Sequence, residues 1–350
     1  MATFAGRATR SAVPAPFSIA VLLWLLILGS APALQASDQQ AAAIAVTDFR
    51  GKELVLQRPA SRIVCLIESA LSGLYMLGAE GRVVGISRNV YTEGVNRYYA
   101  SLDDRIRNKE LPAPGNWDFI NLESVVSLRP DLVILWSEQT EAIESLEQRG
   151  IPVYGVFLRR LEDVYREITA LGLLTGSQDR AADLIRYAKQ SLDRVRERLR
   201  SDPSDQRPGI YYMWAQGPLE TSCGQSTVDD LITLAGARNV CASIPREHLV
   251  VNMETVLSWD PDVIVMWYNT RLDPEGLAKE GQWQGVAAVR NGRVHELPDV
   301  FLCDLWTLKF PYAVWMVAKW SHPELFRDVD LQRKKEEVLN FLYHGKLQDP

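Results

Sequence analysis

Several kinds of catalytic motif are missing from this 350-residue chain. It has no G-x-S-x-G elbow, no H-E-x-x-H pair, no phosphate-binding P-loop and no G-x-G-x-x-G turn. Those absences exclude the usual serine-hydrolase, zinc-protease, nucleotide and dinucleotide sites. Histidine is scarce: His248, His295, His322 and His344 are dispersed, and the first buried strand is followed by "CLIESA". A bare zinc or manganese ion wants His and carboxylate ligands gathered at strand ends, so no resident metal and no cofactor are expected. Ser226 stands three residues before Asp229 and reads as a helix cap rather than a nucleophile. Cations are also short, with 38 Lys and Arg against 44 Asp and Glu and a net charge of −6. A nucleic-acid partner needs the opposite balance and is excluded.

Long hydrophobic runs are nearly absent too. The exception is "FSIAVLLWLLILGS" (Phe17–Ser30), which follows Arg7 and Arg10 and precedes "APALQAS". At about 14 residues it falls short of the roughly 20 that span a bilayer. Basic start, short apolar run and small residues describe a signal peptide over 1–36, cleaved after Ala33 or Ala36. An uncleaved anchor is the alternative. No cysteine follows the run and no twin arginine precedes it, so neither a lipid anchor nor the twin-arginine route is expected. Cleavage removes two arginines and no acid, moving the net charge from −6 to −8. The remaining chain is expected to be soluble and periplasmic. Its four cysteines, Cys65, Cys223, Cys241 and Cys303, then meet an oxidising compartment and can pair in three ways. Cys65 and Cys241 lie in apolar contexts where a free buried thiol fits equally well.

What the chain does have is a repeat. "INLESVVSLRPDLVILW" (Ile120–Trp136) and "VNMETVLSWDPDVIVMW" (Val251–Trp267) share Asn121/Asn252, Glu123/Glu254, Val125/Val256, Ser127/Ser258, Pro130/Pro261, Asp131/Asp262 and Trp136/Trp267. Each reads as a capped helix, a Pro-Asp turn and a buried strand. Asn at the cap and Glu in the first turn suit the helix start. These acids and amides therefore have local structural uses and are not candidates for catalysis.

The repeat sits in a larger pattern. Residues 45–158 read as a first α/β lobe, with a short hairpin at Ala45–Pro59, strands at "RIVCLI", "RVVGIS" and "PVYGVF", and a helix "ESALSGLYMLG" stopped by Gly78. Residues 88–118 read as an irregular, aromatic loop over a cleft. Residues 159–203 carry linking helices. The second of these, capped by Ser177 and running from Gln178 to Leu199, keeps one apolar face over about 33 Å. Residues 207–350 read as a second α/β lobe, from "GIYYMW" to "GRVHELP", with C-terminal helices, the last near Lys334–Leu342. "STVDDLITLAGARNV" mirrors "SALSGLYMLGAEGRV", which makes the lobes copies of one another. The spacer from Gly-Ala to the repeat differs, 42 residues in the first lobe (Ala79 to Asn121) against 15 in the second (Ala237 to Asn252). The fold class is thus α/β, two Rossmann-like lobes with parallel sheets joined by a single long helix.

In parallel α/β sheets ligands bind beyond the carboxyl ends of the strands. Trp136 and Trp267 end the repeat strands, and Tyr91, Trp117, Trp214, Tyr268 and Trp306 fall at comparable strand ends or cleft loops. The chain has ten tryptophans, above ordinary usage, and the aromatic set at strand ends favours a ligand with a large flat or apolar face. Arg88, Arg159 and Arg160 also follow strands and are candidates to face an anionic group, Arg88 foremost.

With these motifs in view, the chain resembles the periplasmic substrate-binding proteins of ATP-driven importers for iron–siderophore complexes, haem and cobalamin. The resemblance spans Ala45 to Gly345 and rests on "VTDFRGKELVL", "LGAEGRVVGIS", "INLESVVSLRPDLVI", "STVDDLITLAGARNV", "VNMETVLSWDPDVIV" and "HPELF…FLYHG" in the family's order. It implies two lobes bridged by a long helix and a monomer that closes on a metal chelate. The loaded protein is then expected to dock on a permease served by an ATPase, with no chemistry done on the cargo. It also implies an acid on the first helix of each lobe that meets permease arginines. Asp230 matches in the second lobe; in the first, Gly73 stands at that place and Glu68 is the nearby substitute. A small oxyanion (molybdate or tungstate) or weakly chelated metal is the alternative ligand and would depend on the arginines. A metal chelatase, or a secreted sensor domain, is a more distant reading.

Overall fold

A hairpin of β1 (Ile44–Thr47) and β2 (Glu53–Leu56) comes first, turning at Gly51, whose φ of +79° suits glycine. The computed structural model describes residues 11–12, 43–201 and 207–347. The expected signal peptide and cleavage point lie outside them. Among the described residues no helix is long and apolar enough to cross a membrane.

After the hairpin come β3 (Ile63–Cys65), α1 (Glu68–Met76), β4 (Val83–Ile86), α2 (Glu93–Leu102), α3 (Asp104–Arg107), α4 (Leu122–Ser127), β5 (Leu132–Trp136), α5 (Thr140–Glu147) and β6 (Val153–Val156). Their parallel sheet runs β4-β3-β5-β6. Two helices lead on, α6 (Leu161–Thr175), stopped by Gly176 at φ +72°, and α7 (Gln178–Arg200). The second half contains β7 (Gly209–Met213), β8 (Glu220–Thr221), α8 (Thr227–Leu234), β9 (Arg238–Asn239), β10 (Leu249–Val250), α9 (Met253–Trp259), β11 (Val263–Met266), α10 (Pro274–Lys279), α11 (Ala287–Arg290) and β12 (Val294–Glu296). Its parallel sheet runs β9-β7-β11-β12, with β8 and β10 paired apart as a small ribbon. Then come α12 (Phe310–Ser321) and α13 (Leu331–Leu342). In both sheets the second strand made lies on one side of the first, and the third and fourth lie on the other. The lobes are copies in topology as well as in sequence.

Strand alternation explains how the lobes pack. Ile63, Cys65, Leu132 and Ile134 of the first sheet face the same core as Ile210, Tyr212, Val263 and Val265 of the second. Their neighbours Val64, Val133 and Leu135 face a separate outer core, and Tyr211, Met213, Ile264 and Met266 another. A period of two puts successive side chains on opposite faces, so each sheet is buried on both sides. The bridge is α7, 23 residues and about 34 Å long, packed on α6 at one side and on α8 and α12 at the other.

The repeat does the structural job expected of it. Asn121 accepts the Ser124 N–H and Asn252 the Thr255 N–H, each capping its helix. Asp131 accepts the N–H groups of Ser61 and Arg62 ahead of β3, and Asp262 accepts the N–H of Gly209 at the start of β7. Each aspartate thus ties the turn before its own strand to the head of the neighbouring strand. Ser226 caps α8 through the Asp229 N–H. Ser177 occupies the cap position of α7 without a side-chain hydrogen bond.

Three expectations change. Residues 88–118 are not simply irregular, because α2 and α3 form there. Helix α2 buries Tyr98 and Tyr99 against Phe301, stacked at 4.4 Å and edge-on at 5.3 Å, a contact no local pattern announces. The tail packs on α12 but also reaches the first lobe: the Tyr343 hydroxyl lies 2.6 Å from that of Ser72 on α1, and Arg180 donates to the carbonyls of Phe341 and Leu342. Of the cysteines, Cys223 and Cys241 are disulfide-bonded, so Cys241 is not a free thiol. Cys65 and Cys303 are free and buried, and burial pushes both thiols well above their ordinary pKa.

Candidate binding site

Where a parallel sheet reverses its strand order, the loops diverge and leave a crevice at the carboxyl ends. In the first sheet that point lies between β3 and β5. The chain leaving β3 supplies Ile67, Glu68 and Ser69, and β5 ends on Trp136. In the second sheet the matching point lies between β7 and β11, which lead to Trp214 and Trp267. The two crevices face a common cavity of about 660 Å³. That falls within the roughly 300–1,000 Å³ typical of small-molecule sites. The first lobe lines it with Ile67, Glu68, Ser69, Asn89, Thr92, Val95, Tyr99, Trp117, Trp136, Val156 and Leu158. The second contributes Trp267, Val300, Phe301, Asp304 and Trp306.

Of the residues singled out from sequence, Trp117, Trp136, Trp267 and Trp306 come together here. Trp214 does not reach the cavity. It is buried behind the wall, stacked with Trp306 at 6.2 Å and with His248 at 5.0 Å, while its Nε1 donates to the Glu247 carbonyl. Trp214 also lies 5.5 Å from Trp267, so it backs two of the four lining tryptophans. Tyr91 is outside the lining as well; its hydroxyl donates to the Leu111 carbonyl and braces the loop ahead of Trp117. Arg88 and Tyr268 are exposed and do not line the cavity.

Trp117 projects from a loop held by Asn116. The Asn116 side chain accepts from the N–H groups of Asp118 and Phe119 and donates to Asn89, and Gln139 donates to its carbonyl. A Cβ at Gly115 would lie 2.3 Å from the Phe119 carbonyl oxygen, so glycine is required at that crossing. Trp117 itself stays 55% exposed, a lip rather than a floor. Tyr99 and Phe301 line the cavity in edge-on contact, with Tyr98 stacked on Phe301 behind them and Arg97 paired with Asp299 at 2.7 Å.

The cavity's polar groups are few. Glu68 accepts the Ser87 hydroxyl, and burial raises its pKa. Asp304 accepts the Trp306 N–H at 3.0 Å, and burial raises its pKa too. Among the described residues no Lys, Arg or His side chain lines the cavity, and no cluster of three or more His, Cys, Asp or Glu side chains is arranged to hold a metal ion. Sequence reasoning missed Asp304, Phe301 and Tyr99. Only the strand-end rule pointed near them, and it does not reach a helix read as loop or a segment beyond the last strand.

The docking acids also find their places. Glu68 belongs to the cavity wall, so it does not present a carboxylate to an outside partner. Gly73 faces inward, where a Cβ would meet Ile168 and Leu171 of α6 at 3.0 and 3.1 Å. An acid at that position would be buried, which removes it as the first-lobe contact. Asp230 is engaged within the chain: Arg160 grips both its oxygens at 2.9 Å, and Leu161 N–H donates to it at 2.9 Å. Arg159 lies over the Phe157 ring at 4.6 Å. Neither arginine lines the cavity.

The signature of a family described as periplasmic binding protein matches residues 63–300. An uncharacterised ABC transporter substrate-binding lipoprotein of Bacillus subtilis, YvrC, is 24% identical over 73% of this chain and 79% of its own length. The vitamin B12-binding protein of Vibrio parahaemolyticus is 23% identical over 68% of this chain and 82% of its own. The fold is shared with the molybdate periplasmic binding protein MolA of Haemophilus influenzae, solved with molybdate bound. That likeness has a TM-score of 0.74 at 20% identity and covers 87% of this chain and 99% of that one.

Proposed function

The chain belongs to the periplasmic binding protein family, and from that premise we propose that it captures a bulky metal chelate between its lobes and hands it to an ABC permease. Members of the family bind solutes for such transporters and are not enzymes. The observation that carries the reading is the cavity wall: Trp117, Trp136, Trp267 and Trp306, two from each lobe, around about 660 Å³. Flat apolar faces of that extent bury a macrocycle or a wrapped chelator through stacking at little ordering cost. A cobalamin, a haem or a ferric siderophore presents such faces. A four-oxygen anion does not, and it would leave most of the cavity unfilled.

Molybdate and tungstate also need donors and cations, and Arg88, Arg159 and Arg160, the residues that reading required, all lie off the cavity lining. The wall supports the chelate over the oxyanion. Export by the N-terminal segment, and action as a monomer alongside a permease and its ATPase, complete the proposed role. Asp230 remains the candidate docking acid, and a permease arginine would have to compete with Arg160 for it.

Calorimetric titration with cobalamins, haemin, ferric trihydroxamates and molybdate tests the reading. A chelate is expected to bind at micromolar concentration or below. Binding of molybdate with no response to any chelate would overturn it.

A further inference from the structure

Glu68 and Asp304 enter the cavity from opposite lobes. Glu68 is the first residue of α1, and Asp304 lies in the segment between β12 and α12. Glu68 accepts from the side chains of Ser87 and Asn89 and Asp304 from the Trp306 N–H, and among the described residues neither has an ion pair within 4.0 Å. Their like charges repel, the Asp304 charge raising the Glu68 pKa further.

The nearby cations lie off the lining, and of them Lys309 acts on Asp304 from behind the wall. The Lys309 ammonium is buried behind the wall, donates to the Ser72 hydroxyl at 3.2 Å and lies 3.6 Å above the Phe301 ring. Burial lowers its pKa to about 8. Arg97 is held by Asp299. A further carboxyl, Glu167, is buried in the core beneath β3 with one oxygen unpartnered, and burial raises its pKa well above the ordinary value, so it brings no cation to the site.

Aromatic faces compound the effect. The ring quadrupole is negative over the face, so four tryptophans and Tyr99 attract a cation that enters among them. A negatively charged ligand meets two carboxyls and no cationic side chain in the lining, the one ammonium that acts on Asp304, that of Lys309, lying behind the wall. Resting on the chelate reading, we infer that the preferred ligand carries net positive charge, held between Glu68 and Asp304 with the tryptophan faces around it. This excludes anionic triscatecholate iron complexes, and haem with its two propionates, as preferred ligands. A neutral or cationic hydroxamate complex or corrinoid remains.

Two matched pairs of probes isolate charge from shape. Ferrioxamine B carries a free ammonium that its N-acetyl derivative lacks. Aquocobalamin is cationic where cyanocobalamin is neutral. Each pair is titrated calorimetrically against the unmodified protein and the Glu68→Gln, Asp304→Asn and double variants, with thermal melts to establish folding. In whichever pair binds, the cationic member is expected to be tighter by about tenfold or more, the gap shrinking to about twofold in the double variant. If that variant does not fold, the two single variants carry the test. Equal binding of the two members, tighter binding of the neutral one, or a gap that survives the substitutions overturns the inference and leaves the chelate reading standing. If no member of either pair binds, and the other chelates titrated also fail, the chelate reading falls and this inference with it.

Discussion

Trp136 and Trp267 hold the same place in two copies of one segment, yet they keep different company. Trp136 packs on Phe157 at 4.9 Å, and the lip beside it is the exposed Trp117. Trp267 belongs to a group with Trp214 and Trp306, at 5.5 and 5.9 Å, backed by buried aromatic surface. The second lobe therefore presents a preassembled aromatic wall, and the first presents a carboxylate and a projecting loop. Duplication supplied the scaffold twice. The unequal spacers, 42 residues against 15, then allowed the two faces to diverge.

The loops that support the two faces differ most in covalent restraint. The Cys223–Cys241 bridge spans 18 positions in the second lobe, whereas the first lobe's spacer is held by hydrogen bonds through Asn116. A Cys223→Ser, Cys241→Ser double variant should lose about 3 kcal/mol of stability in denaturant unfolding. The unmodified protein should lose a similar amount on reduction, and an unchanged midpoint would break the contrast.

The contrast between wall and lip is sharpened next. Trp267→Ala should weaken chelate binding about a hundredfold, as for a buried anchor, while Trp117→Ala should cost about tenfold or less because the side chain is half in solvent. Equal losses would mean that the lip closes over the ligand more than its exposure here implies.

The repeat itself offers a gentler comparison. Asp131 accepts from the Ser61 N–H and hydroxyl and the Arg62 N–H, while Asp262 accepts from the Gly209 N–H. Asp131→Ala should therefore destabilise by about 2 kcal/mol and Asp262→Ala by about 1 kcal/mol. Neither should shift ligand affinity. The caps should behave alike, with Asn121→Ala and Asn252→Ala each costing about 1 kcal/mol in thermal or denaturant unfolding.

The last comparison, one of pH rather than of substitution alone, lies on β12 of the second sheet. His295 stacks on Trp320, and burial, with the nearby Arg293 charge, lowers its pKa from 6.5 to about 4. The unfolded chain takes up the proton first, so stability should decline as pH falls from 6.5 toward 4 and level off below. His295→Gln should flatten that part of the profile.

Much of the scaffold is legible in the sequence. Asn caps, Pro-Asp turns, short apolar strands and the glycine stops at Gly78 and Gly176 are local signals, and each specifies its element almost unaided. The cavity was only half legible. Four tryptophans follow from their places at strand ends or cleft loops, but Trp214, Tyr91, Arg88 and Tyr268 were placed by the same reasoning and lie outside the lining. Chain position says that a residue is near a strand tip; it does not say which way its side chain turns or what packs in front of it. The aromatic spacing in "EGVNRYYASL" concealed α2 because its buried face meets Phe301, about two hundred positions away.

The sequence by itself determined a duplicated α/β chain with a helical bridge, because capping, periodicity and internal repetition act over a few residues. Tertiary structure alone decided which of four cysteines are joined, that Glu68 faces inward opposite Asp304, that Gly73 is walled in by α6, and that the tail returns to the first lobe. Those outcomes depend on burial and on charge placed across long separations, and they exist only once the two lobes share a core.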